Sequence, residues 1–194
     1  MPPANAELLL RRGIRLEYPT LGWNVVGTVV VIAAALAAGS VALAGFGLDS
    51  MIEIGASTVV IWQLKDPAAV ERERRALRLI GVAFIAVSFY IAAQAAYTLI
   101  AASHPGHSPL GIAWTAATCA VMLALAAAKS QTGRALGNRT LQTESRVTLI
   151  DAYLAAAVLL GLLLNDALGW WWADPLAGLV IVYYGIREAR GALR

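Results

Sequence analysis

The sequence predicts an all-α membrane protein of six transmembrane helices with both termini in the cytoplasm. Three observations carry that prediction. The 194-residue chain is 59% hydrophobic and 14% charged, whereas about a quarter of the residues in a soluble domain are charged. Its apolar runs approach the roughly 20 residues that cross a bilayer as a helix. They are rich in Ala, Leu and Val, and too long for half-buried strands. Finally, all 15 Lys and Arg residues fall into four segments that a six-helix reading places on one side.

Each element follows from the chain in order. Residues 1–19, "MPPANAELLLRRGIRLEYP", read as a cytoplasmic, partly amphipathic leader, because no cleavable apolar region follows the basic residues. Helix one is expected over 20–38 and helix two over 39–64, with Gly39-Ser40 marking the break. "DPAAVERERRALR", 66–78, reads as a mixed-charge, solvated connector. Helix three is expected over 77–102, "SHPGHSP" follows as an outer loop, and helix four covers 109–128. A cytoplasmic connection carrying Lys129, Arg134 and Arg139 then leads to helix five over 143–164. "NDALG" turns outside, Trp170, Trp171 and Trp172 mark the outer interface, and helix six is expected over 170–187. The transport domain is thus 20–190, with a short tail at 191–194. The basic segments precede helix one, join helices two and three, join helices four and five, and end the chain, so they set the cytoplasmic face.

Composition narrows the function classes. A net charge of +3 is a weak nucleic-acid signal, and no nucleic-acid partner is expected; the partners are membrane lipid and what crosses it. One cysteine, Cys119, can form neither an internal disulfide nor a cysteine metal cluster, and reads as a small packing residue. His104 and His107 read as part of a polar turn. Asn24 and Gln94 either face a site or bond between helices. Asp174-Pro175 reads as the cap of helix six. Ala92, Ala93, Ala95 and Ala96 allow close helix approach.

The informative residues are acids where acids are expensive. Asp49, Glu53 and Asp151 lie well inside spans, and Glu144 lies near the cytoplasmic end of helix five. An acid at mid-membrane costs at least about 2.5–3.5 kcal/mol, which marks an ion path, a proton relay or a counter-ion. Asp49 and Glu53, four residues apart, share one helix face about 6 Å apart; Glu144 and Asp151, seven apart, share another over about 10 Å. Helices two and five run in opposite directions, and Asp49 and Asp151 both fall near mid-depth. With no Lys or Arg expected at that depth, and with Arg146 snorkelling to the surface, converging carboxylates need a cation. Their oxygens suit hard or borderline divalent ions, Zn2+ included. Crowded carboxylates take up protons when the ion leaves, so metal and proton binding compete. This describes a transporter, not an enzyme.

At these residues the sequence resembles the cation diffusion facilitator (CDF) family of zinc and manganese transporters. "GSVALAGFGLDSMIEIGAS", 39–57, is similar to that family's helices one to two, and "DAYLAAAVLLGLLLNDALGWWWADP", 151–175, to its helices five and six. The resemblance implies a CDF-like transmembrane domain exporting a divalent cation, Zn2+ foremost and Mn2+, Fe2+ or Cd2+ as alternatives, in exchange for protons. It also implies a homodimer; the expected location is a bacterial plasma membrane. Asp49 and Glu53 match the helix-two metal pair, with Glu in place of the second Asp, and Asp151 matches the helix-five Asp. The ligand expected four residues earlier is Val147 here, and Glu144 stands as its replacement or as an inner relay. The family's His-containing loop is replaced by "LKDPAAVERERRALR", and the chain looks like a membrane-only branch without the C-terminal cytoplasmic domain. Two other readings compete. One is a metal-binding membrane protein or scaffold that kept the fold and lost turnover. The other is a drug/proton antiporter, which needs a wide aromatic-lined cavity where the central segments offer few aromatics.

Overall fold

A computed structural model describes residues 3–65 and 70–192. Among the described residues every regular element is an α-helix: α1 Pro3–Ala38, α2 Val41–Lys65, α3 Val70–Ile100, α4 Pro109–Leu136, α5 Arg139–Leu168 and α6 Ala173–Ala192. Six helices in the expected order are present, and three of them, in α1, α4 and α5, are long and apolar enough to cross a membrane. The α2 helix is central, packing against α1, α3, α5 and α6.

The boundaries depart from expectation where helices continue through polar segments, and in α1 and α4 through Pro19 and Gly133. The expected leader is continuous with helix one, and α1 runs through Pro19. Proline there removes one hydrogen bond to the preceding turn, and its neighbour Thr20 donates its hydroxyl to the Leu16 carbonyl. The expected connector before helix three instead contributes residues 70–78 to α3; residues 66–69 of it lie outside the described residues. The α4 helix continues two turns beyond 128, through Gly133, and ends at Gly137, in the left-handed conformation with φ +64°. Asn138 then caps α5 by accepting the Leu141 N–H. The expected connection between helices four and five is therefore mostly helix.

Outside, the α1–α2 break falls as expected, at Gly39 with φ +61°, a backbone conformation that suits glycine. The role of Asp174 is different from the expected one. It lies in the first turn of α6 and caps another helix: its carboxylate accepts the Ser40 hydroxyl and the N–H groups of Val41 and Ala42, 2.9 and 3.3 Å away. Ser40 Oγ in turn accepts the Leu43 N–H. The open N–H groups at the start of α2 are thus met from another helix, and negative charge there complements the helix dipole.

Packing puts apolar surface outward as well as inward. Leu8, Val29, Leu36, Phe89, Tyr97 and Ile100 are exposed, as a lipid-facing rim requires. Inside, Val31, Leu43, Phe46, Leu154 and Val158 form the main core, with Cys119 packed against it as expected. Close approach of α5 and α6 depends on Gly161, where a Cβ would stand 2.9 Å from Ala177 Cβ and 3.1 Å from the Ala173 carbonyl oxygen.

Candidate functional site

The predicted acids are all buried: Asp49 on α2 is 7% exposed, Glu53 4%, and Asp151 on α5 2%. The α2 and α5 helices are in contact, so the i, i+4 pair on one meets the single acid on the other. Asp49, Glu53 and Asp151 line one cavity with Val147, Tyr184 and Glu188. Room for the centre of a water-sized body there is about 10 Å³, close to the space one water needs. Both carboxylate oxygens of Asp151 lack a hydrogen-bond partner, a costly condition for a buried polar group. Among the described residues, no three His, Cys, Asp or Glu side chains stand close enough together to hold a metal ion.

Glu144 is placed differently. It does not line that cavity; its Oε1 accepts from Lys129 Nζ at 2.5 Å. Lys129 was expected in a solvated cytoplasmic connection and is instead wholly buried. Its ammonium also binds Glu17 Oε2 at 2.9 Å and the Thr148 hydroxyl at 3.1 Å. The expectation of a site with no basic residue nearby is therefore corrected: a lysine stands beside it, because α4 outruns its expected end and carries Lys129 inward. Glu17 was assigned to the cytoplasmic leader and is buried for a similar reason, since α1 includes it.

Thr148 joins the two groups. Its Oγ1 lies 3.2 Å from Glu53 Oε1 and 3.4 Å from Glu144 Oε1. A hydroxyl has one proton to donate, so it serves one carboxylate at a time while accepting from Lys129. Ser57 adds a hydroxyl 3.3 Å from Glu144 Oε1. The result is a hydrogen-bonded file from Glu53 through Thr148 and Glu144 to Lys129 and Glu17. It runs from mid-helix on α2 toward the ends of α4 and α5 that carry the basic residues.

Three charged residues in this region escaped the sequence reading, Lys129, Glu17 and Glu188, as did the hydroxyls of Ser57 and Thr148. For Glu17 and Glu188 a periodic signal exists. Glu17, Asn24 and Val31 recur every seven residues on one face of α1, and all are buried. Glu188 lies seven residues beyond buried Ile181 on α6, hence on its inward face. Asn24 bonds to the Thr20 carbonyl within α1, and Gln94 lines an outer groove beside Gly39 and Ser40. His107 Nδ1 bonds Asp166, and His104 stacks on Trp171, so both histidines belong to the outer surface.

With this geometry in hand, the comparisons with known proteins point one way. The sequence pattern of the cation efflux transmembrane domain matches residues 78–194. Over 197 aligned residues the chain is 23% identical to Transmembrane protein 163 of Xenopus laevis, covering 96% of this chain and 69% of that protein.

Proposed function

The chain belongs to the cation efflux transmembrane family, and from that membership we propose that it exports a divalent metal cation, Zn2+ foremost, in exchange for protons. The observation that carries this reading is the sharing of one buried cavity by Asp49 and Glu53 of α2 and Asp151 of α5. These carboxylates would be the cargo ligands. Glu188, on the same cavity, offers a carboxylate from α6 where Val147 offers none. Zn2+ accepts carboxylate oxygens at about 2.0–2.2 Å, so loading requires the helices to draw these groups closer than they stand here. Such a change of helix packing is what alternating access around a fixed site needs.

Protons take the place of the departing ion. The file from Glu53 through Thr148 to Glu144 supplies a hydrogen-bonded path on the cytoplasmic side, with Glu144 as the inner relay. Lys129 holds that relay in place. The protein would act as a homodimer, as the family resemblance implies.

The test is flux in liposomes loaded with a metal-sensitive dye. An acid lumen should drive Zn2+ inward as protons leave, and Asp49→Asn or Asp151→Asn should reduce that flux by at least about tenfold, the loss that even an outer partner of a metal ligand can bring. Mn2+, Fe2+ and Cd2+ are compared in parallel. Equal flux of all four metals in the wild type and both variants overturns the transporter reading. Metal binding by the wild type without flux assigns the chain to the non-transporting, metal-binding alternative.

A further inference from the structure

A second polar site lies on the opposite side of the α4–α5 hairpin from the acidic cavity. Near the ends of these helices that flank Gly137, the two elements part to leave a groove of about 420 Å³. Its deeper wall is apolar, formed by Leu123, Ala126 and Leu149, and its shallower wall carries Ser130, Arg134 and Arg146. Both arginines are exposed, and among the described residues neither has an ion-pair partner. A floor of methyl and methylene groups below two guanidinium groups matches an amphiphile with an anionic head. Free phosphate would use the head-group end alone and leave the apolar wall bare.

We propose that this groove is a binding site for an anionic phospholipid of the cytoplasmic leaflet, its phosphate between Arg134 and Arg146 and one acyl chain along Leu123, Ala126 and Leu149. Two general rules and one observation converge on that ligand. Guanidinium groups pair with phosphate oxygens in a fixed, two-pronged geometry. Basic pockets between transmembrane helices on the cytoplasmic side recruit anionic head groups. The depth order is right, because the arginines lie nearer the helix ends than the apolar residues do. The site also adjoins the ion network: Ser130 follows Lys129, and Ser145, another lining residue, follows Glu144. A lipid bridging Arg134 and Arg146 would tie α4 to α5 beside the relay.

Native mass spectrometry of the full chain, purified with a phosphatidylglycerol and phosphatidylcholine mixture, reads the occupancy directly. The wild type should retain phosphatidylglycerol over phosphatidylcholine. Arg134→Gln with Arg146→Gln should weaken that retention about thirty-fold, from about 1 kcal/mol for each basic group. Arg12→Gln with Arg15→Gln removes the same charge from exposed positions on α1 and should leave retention within about twofold. Leu123→Trp enlarges a side chain of the apolar wall that is 43% exposed, so the helix packing is left in place; it should expel the lipid with both arginines intact. Equal loss in the two arginine pairs would overturn the proposal in favour of general surface attraction. Full retention in Leu123→Trp, or displacement by inorganic phosphate, would overturn it in favour of a head-group or free-phosphate site.

Discussion

Lys129 brings a positive charge to a fully buried position and meets two carboxylates there, Glu17 and Glu144. Breaking a buried ion pair by removing one partner costs about 3–5 kcal/mol, because the other charge is left without compensation. Lys129→Met should therefore lower stability by about that amount, measured as unfolding in detergent by denaturant. Adding Glu17→Gln and Glu144→Gln should restore most of it, since a neutral network leaves no stranded charge. Thr148→Val makes a different prediction: the file is interrupted while the ion pairs persist. Metal affinity measured by titration should then fall by about ten- to a hundred-fold, as when an outer partner of a metal ligand is lost. At this scale the gathering of Asp49, Glu53 and Asp151 on one buried cavity was legible, because acids inside apolar runs are costly and converge between helices. Lys129 was not, because a lysine beside an expected connection looks like any cytoplasmic charge. What separates the two readings is that α4 runs on through Gly133 and stops only at Gly137, which the residue types alone do not decide.

Among the elements, α2 is held at both levels of the fold. Its outer end is capped by Asp174 from α6, and its middle faces α5 across the acidic cavity. Asp174→Ala removes the acceptor for three donors at once and should cost about 1–3 kcal/mol, seen as a lower unfolding midpoint. Asp174→Asn keeps an acceptor oxygen and should recover part of that loss. Contacts between α1 and α4 are built differently, by Trp23 stacked on Trp114 at 4.9 Å and bonded to Thr118 at 3.0 Å. Helix number and order were readable from the apolar runs and the placement of basic residues. Helix length was not, because nothing in the apolar pattern says that a polar segment will continue the helix. Stretches such as "KSQTGRAL" and "VERERRAL" contain good helix formers, and a long helix needs no apolar face once it leaves the bilayer.

For the whole molecule, the proposed exchange makes the direction of the pH gradient decisive. An acid lumen should accelerate metal accumulation in liposomes, a protonophore should abolish the acceleration, and an alkaline lumen should slow uptake below the rate without a gradient. Fluorescence of a lumenal metal dye reads all three. The tethered ammonium has a further consequence, for how many ions one chain carries. Lys129 permanently fills the inner half of the acidic track with a charge that cannot leave, so Glu17 and Glu144 are unavailable to a second cargo ion. Calorimetric titration of the purified protein should therefore saturate at about one divalent ion per chain, set by the cavity of Asp49, Glu53 and Asp151. Under the proposed function, the fold carries its own immobile occupant, Lys129, and that occupant sets the loading ratio.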